Sequence, residues 1–553
     1  MTTELPENLR AEALVHGFLT GRLNRRQLFR GSALIGGAAL ATTTLGPLLA
    51  ACGASTPSTT SSSGSAAGSA AAAARVRGGT LNVALTGNPT TMDPATAGVY
   101  TSLQVLDNIF SKLITMDEAG KFVPELAKSW KQNDPLTYTF DLVSNATFHN
   151  GEKFTATDVK YTFERIANPK TASSYASAYT SIKTIEVKSP TQVVFHLSTP
   201  FAPLLTNLAQ NGEIVNKKAI ESPDSARKPV GTGPFMFVEW VQSDHVTLKK
   251  NPNYFVAGKP YLDEVIFKFL AVDQSRIEAL QSGQLDWVDA IPLNQLTALK
   301  KNSAYTYATS TQAGIPDFLA FNTSKAPFNN KALRQAVAAA VDRKEILSIA
   351  YFGAGEAGYM DVPSGSTWYE QPPATQSAPD LTLAKQKMVE AGYPNGLTVT
   401  YLSLPQYPEL QKTGVVLRDQ LKKIGITVNL EQLEVTVWFG RYAKGDYEMT
   451  SAYWSGTIDP DNFYSTQLQT GSANNDMKYS NKAVDALITK ARASTDEAER
   501  KTLYGQIRKI VWDDAPIVFL HYETINYLMR NKVHGSVVNP PLELGLGNVW
   551  KSA

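Results

Sequence analysis

The chain has 553 residues, of which 43% are of hydrophobic type and 18% are charged, and its formal net charge is +2. That length exceeds one compact core and indicates several domains, while the near-neutral balance argues against a nucleic-acid partner, which would leave a basic excess or stripe. The one cysteine, Cys52, excludes an intrachain disulfide and a Cys-rich metal site. Taken in chain order, Arg25-Arg26 precede a weakly apolar stretch, 31–49, that contains Gly36, Gly37 and Pro47 and runs into Leu49-Ala50-Ala51-Cys52-Gly53. Small residues before Cys52 fit a processed segment better than a transmembrane helix. Residues 53–77 are mostly Gly, Ala, Ser and Thr, with no large apolar residue before Val76. Such a segment cannot bury enough surface to fold, so 52–77 reads as a flexible linker.

Order begins near Gly78. Alternation predicts strands at 80–85, 137–142 and 193–197, with further candidates at 246–248 and 265–269. A helix is expected from Leu333, capped by Asn330, with Val337, Ala340, Val341 and Ile346 as its apolar positions. The clearest local unit is 397–433: a strand, a helix over about 409–424 ended by Gly425, and an alternating strand, which together predict a right-handed parallel βαβ crossover. Met449–Tyr453 reads as another strand. Ser494 and Glu497 have capping-box spacing ahead of a helix whose apolar face is Leu503, Ile507, Ile510 and Val511.

The N-terminal pattern resembles a twin-arginine export signal, through Arg25 and Arg26, joined to a bacterial lipoprotein cleavage box. The resemblance implies a signal peptide over 1–51 and acylation of Cys52. Two acyl chains there would tether the protein to the outer face of the cytoplasmic membrane, because one chain alone binds only marginally.

Further along, several segments stand in a fixed order: Gly78-Gly79-Thr80-Leu81, Met92-Asp93-Pro94-Ala95, Pro124-Glu125-Leu126-Ala127-Lys128-Ser129-Trp130, Phe148-His149-Asn150-Gly151-Glu152, Val230-Gly231-Thr232-Gly233-Pro234-Phe235, Asn251-Pro252-Asn253-Tyr254, Leu333-Arg334-Gln335-Ala336 and Tyr453-Trp454-Ser455-Gly456. Together they resemble the extracytoplasmic solute-binding proteins of ABC importers, in the dipeptide, oligopeptide and nickel-binding family (family 5). The resemblance implies an α/β fold of the class II periplasmic-binding-protein type, with two hinged lobes and an extra inserted domain. Mapped here, lobe I takes 78–103, 229–310 and 517–553, the inserted domain 104–228 and lobe II 311–516. It also implies a monomer without cofactor that is no enzyme, that holds a peptide, modified peptide or sugar-like solute between its lobes and that docks on ABC permease subunits.

Candidate ligand contacts follow from the same motifs. Trp438 and Trp454 match positions where the family places aromatics in the cleft, against ordinary core packing. Thr96, Gly98 and Tyr100 match a lobe I loop beside the cleft, against a plain surface loop. Tyr407 follows a strand of the βαβ unit, and ligands of α/β units gather at the carboxyl ends of strands. Two departures stand out. The Asp that pairs with a peptide's ammonium in dipeptide and oligopeptide binders is replaced by Thr457, and no Arg lies between Leu402 and Lys412. Asp459 and Asp461 are candidates to replace the lost carboxylate, against an Asx turn in Asp459-Pro460-Asp461-Asn462, which the sequence favours. Asp93, His149 and Asp158 read as a turn, a hairpin and a helix cap. The six His have no metal-ligand spacing, so no metal site is expected. Gly231-Thr232-Gly233-Pro234 lacks the Lys and helix of a phosphate loop and reads as a tight turn. A sensing or adhesive receptor without transport, and an exported hydrolase, are the alternatives. No nucleophile elbow supports the latter.

Overall fold

The computed structural model describes residues 75–310, 314–454, 458–523, 526–536, 538 and 544–552. The signal-peptide reading with Arg25 and Arg26, the lipidation of Cys52, most of the 52–77 linker and Thr457 lie outside the described residues.

Thr80–Leu85 is the central strand of a seven-stranded sheet. Across it the order is Tyr305–Thr309, Asn526–Arg530, Trp287–Val288, Thr80–Leu85, Glu264–Phe269, His245–Lys250 and Phe235–Val241. The neighbours of the central strand on both sides run parallel to it. The period-two pattern places Leu81, Val83 and Leu85 in one apolar cluster and Ala84 in another, one on each face. Both faces are therefore covered, as parallel strands require.

A second body is a four-stranded antiparallel sheet in the order Ala127–Asp134, Thr137–Leu142, Gln192–Leu197, Ile182–Ser189. Tyr138, Phe140 and Leu142 point inward, and Phe140 meets Phe195 across the strands at 5.2 Å between ring centroids. The helix Ala156–Ala167 covers this face through Phe163, starting from a reciprocal capping box between Thr155 and Asp158. The boundaries of this inserted body differ from the sequence expectation. Leu106, Ile109 and Phe110 pack in the seven-stranded body and Leu113 in the inserted one, so the change falls after 110 and not at 104. On return, Ile214 belongs to the inserted core while Val215 and Ile220 belong to lobe I, well before 229. Chain continuity carries each apolar run to the end of its own core, which motif boundaries do not mark.

Lobe II holds a six-stranded sheet in the order Glu356–Ala357, Ile517–Glu523, Ile315–Phe321, Met449–Tyr453, Leu397–Ser403, Ile426–Gln432. The predicted βαβ unit is there: Leu397–Ser403 and Ile426–Gln432 are parallel, joined by the helix Pro408–Lys422. Gly425 ends that turn at φ +88°, and a Cβ on the facing Gly396 would fall 2.1 Å from the Gly425 carbonyl oxygen. Asn330 caps Lys331–Ala340 as expected, by accepting from the amides of Ala332 and Leu333. The long helix Glu497–Asp514 is capped by Asp496, not by a Ser494–Glu497 box; Ser494 closes the preceding helix and donates to Glu499 instead.

The expectation that lobe I resumes at 517 does not hold. Ile517–Glu523 is a buried strand of the six-stranded sheet, hydrogen-bonded on both sides, and the chain leaves lobe II only after Glu523. The two sheets are thus joined by two crossings, 309 to 315 and 523 to 526. The ends of the two crossings lie side by side, since Thr309 pairs with Asn526 and Ile315 with Glu523. Among the described residues no helix is long and apolar enough to cross a membrane.

Candidate functional site

The crossings fix which sheet ends face each other. In lobe I, Thr80–Leu85, Glu264–Phe269 and Trp287–Val288 are parallel, and their carboxyl ends lie where Thr309 leaves and Asn526 enters. In lobe II, Leu397–Ser403, Met449–Tyr453 and Ile517–Glu523 share one direction, and their carboxyl ends lie where Ile315 enters and Glu523 leaves. Both lobes therefore present strand carboxyl ends to the same hinge, which is where open α/β sheets gather ligands.

Thr96, Gly98 and Tyr100 sit on the loop and helix start that follow the lobe I strand Thr80–Leu85. Thr96 closes a turn on the Asp93 carbonyl, Gly98 is buried, and the Tyr100 hydroxyl lies 2.8 Å from that of Tyr527. Tyr407 and Trp454 follow the lobe II strands Leu397–Ser403 and Met449–Tyr453. Tyr407 is half-buried, edge-on to Tyr453 at 6.1 Å. Trp454 is 5% exposed and donates its Nε1–H to Asn462 at 2.8 Å.

Two expected contacts are structural. Trp438 is fully buried in the lobe II core, stacked on Tyr442 at 4.7 Å, with its Nε1–H donated to Thr450. It lies on the sheet-facing side of the helix Val435–Lys444, so its indole is satisfied without a ligand. Asp459 is also buried; it caps Pro460–Phe463 and accepts from both terminal nitrogens of Arg500, at 2.9 and 2.6 Å. A carboxylate so engaged cannot take a ligand ammonium without leaving Arg500 unpaired in the interior. The Asp461 carboxyl, pushed up to about 6 mainly by burial, is held beside Arg492 at 3.2 Å.

Sequence reasoning missed a polar group at the hinge end of lobe II. Asp317, His521 and Glu523 face one another across the strand pair Ile315–Phe321 and Ile517–Glu523. His521 Nδ1 lies 2.8 Å from the Asp317 carboxylate and Nε2 2.8 Å from the Ala354 carbonyl, under the stacked ring of Tyr351. Partial loss of hydration, and then the neighbouring Asp317 and Glu409, raise the Glu523 carboxyl. Only pairing of distant strands brings these residues together, and no local motif announces it.

The glycines of Gly231-Thr232-Gly233 allow backbone contact rather than phosphate binding. A Cβ on Gly231 would fall 2.0 Å from the Ile109 carbonyl oxygen. Asp93 orders its own turn and pairs with Arg165, and Asp158 belongs to its capping box.

Comparison with known proteins decides the family. The family model described as bacterial extracellular solute-binding proteins, family 5 Middle, matches residues 121–475. The chain belongs to this family. This family 5 protein is 32% identical over 482 residues to the probable D,D-dipeptide-binding periplasmic protein DdpA of Escherichia coli K12, covering 84% of this chain and 92% of that one. Its fold is similar to that of AgaA of A. tumefaciens R10, solved with agropinic acid, at 30% identity and a TM-score of 0.73 over 86% of this chain and 99% of that one. It is also similar to DppA of Helicobacter pylori, solved with the peptide STSA, at 28% identity and a TM-score of 0.74 over 86% and 99%. The family is one of substrate-binding receptors of ABC importers that work outside the cytoplasm.

Proposed function

We propose that this family 5 receptor is lipid-anchored at Cys52, captures a small polar organic solute of peptide-like chemistry between its lobes, performs no reaction on it and hands it to an ABC permease. Export would use the Arg25-Arg26 signal, and the mature protein would act as a monomer. The observation that carries the reading is the facing of strand carboxyl ends where the two crossings meet the sheets; Tyr100 follows such a strand in lobe I, and Tyr407 and Trp454 follow such strands in lobe II, which supports assigning them to the cleft. Peptide-like chemistry is supported by the relatives: one is a probable D,D-dipeptide-binding protein, one is solved with a peptide and one with agropinic acid. Aromatic faces cover varied groups at low entropy cost. Thr457, and the absence of Arg between Leu402 and Lys412, favour a solute held by hydrogen bonds more than by two terminal ion pairs.

A ligand raises stability only by preferring the folded, closed form, so a thermal-shift panel of D-alanyl-D-alanine, glutathione and neutral disaccharides tests the reading. A binder at about 100 times its dissociation constant adds roughly 2.7 kcal/mol. One stabilising peptide-like solute is expected; stabilisation by disaccharides alone would displace the peptide reading. Cys52→Ser is expected to release the protein from washed membranes, and its retention there would refute the anchor.

A further inference from the structure

The inserted domain is bound to lobe I by the chain itself and by backbone contact. The His149 amide donates to the Gly231 carbonyl, and the Gly231 amide donates to His149 Nδ1. No chain segment runs from the inserted domain directly into lobe II, because the chain enters and leaves lobe II only through the two hinge crossings. A rotation that opens the lobes about those crossings therefore moves the inserted domain relative to lobe II with no chain segment to restrain it. What holds them together is a thin seam. Ile458, shortly after Trp454 in the chain, is the one lobe II side chain among the described residues that belongs to the inserted domain's apolar core, and it is absent from lobe II's own core. The Ala202 amide donates to the Arg492 carbonyl at 2.8 Å, and the Arg492 guanidinium lies 5.2 Å over the ring of Phe201.

The seam is also incompletely filled. A cavity of about 210 Å³ lies within it, walled by Phe122, Tyr138 and Leu205 on one side and by Trp368, Ile458 and Arg500 on the other. A fully packed joint would lock the lobes, because interiors at crystal-like density resist displacement. A joint with a few apolar and hydrogen-bond contacts around a void can be made and broken.

We propose that this seam is a latch: contacts between the inserted domain and lobe II, centred on Ile458, stabilise the closed arrangement and so set solute affinity without touching the solute. The latch rests on the proposed function for the solute, but its closure can be read without one. Affinity falls in proportion to the fraction of molecules able to close, so weakening the latch raises the apparent dissociation constant by that factor. Ile458 is a positioning residue in this scheme.

The test compares the full chain with its Ile458→Ala and Ile458→Val variants by small-angle scattering, each alone and with 10 mM D-alanyl-D-alanine or 10 mM glutathione, alongside amide exchange at Ala202. Ile458→Ala is expected to enlarge the radius of gyration in the conditions where the wild type is compact, to speed exchange at Ala202, and to weaken solute binding roughly tenfold, while Ile458→Val stays near wild type. A merely structural role would lower the melting temperature without changing the radius of the folded protein. The same radius and the same Ala202 exchange in wild type and Ile458→Ala under every condition would overturn the latch. A radius that responds to Ile458→Ala while neither peptide binds would keep the latch and count against the peptide-like reading alone.

Discussion

Asp459 shows how a residue type can be right and its role different. An Asp a few positions past Trp454 is where a ligand ammonium is expected, yet the structure turns it toward Arg500, whose other nitrogen donates to the Ala491 carbonyl. The partner lies 41 residues away on another helix, and nothing in the local pattern reveals it. Asp459→Asn is expected to cost about 3 kcal/mol or more of stability, because it leaves a buried guanidinium uncompensated. A melting curve checks this, and a stable variant that lost only solute binding would return Asp459 to the cleft. Trp438 departs from expectation for a related reason: aromatic side chains suit cores and binding walls equally, and only the sheet beneath its helix decides between them.

At the scale of elements, the alternating strands and the βαβ unit were legible because deeper burial on one face imposes the period that sequence reasoning reads. The helix Glu497–Asp514 was legible only in part. Its apolar face carries Leu503, Ile507 and Val511 as expected, but Arg500 and Arg508 are buried beside them, and Arg508 pairs with Asp361 at 2.9 Å. Charges on a core-facing stripe mimic a solvated face until their partners are seen. The contact of the 148–151 hairpin with the Gly231–Gly233 turn has a measurable consequence. Gly231 donates its amide to His149 Nδ1, so His149 is neutral with its proton on Nε2, facing the Gly233 carbonyl at 3.1 Å. Burial pushes this imidazole down to about 4, from an ordinary value near 6.5. The unfolded chain then binds more protons between those values, so this contribution is full above pH 6.5 and is lost as the pH falls toward 4. Its size is up to about 3 kcal/mol. Melting temperatures measured from about pH 7.5 down to about pH 4 should fall more steeply for the wild type than for His149→Gln, and parallel profiles would contradict the assignment.

For the whole molecule, the order of motifs was enough to expect two lobes and an insertion, because each motif stays near one element. The places where the chain changes lobes were not legible. Ile517–Glu523 is a largely apolar run that either sheet could have accepted, and its pairing with Ile315–Phe321 settles the matter. The same long-range pairing creates the Asp317, His521 and Glu523 group at the hinge, which no motif predicted. The seam between the inserted domain and lobe II was equally invisible, since Ile458 reads as an ordinary loop residue. These features converge on one account: a receptor whose lobes close over a solute at facing strand ends. Native mass spectrometry of the gently purified protein tests it most directly. The account predicts a discrete adduct of small-molecule mass that disappears on denaturation and is depleted in the folded fraction of Trp454→Ala, a variant that also loses core packing. An adduct that is equally abundant in Trp454→Ala, or a bare protein that none of the tested solutes stabilises, would contradict it.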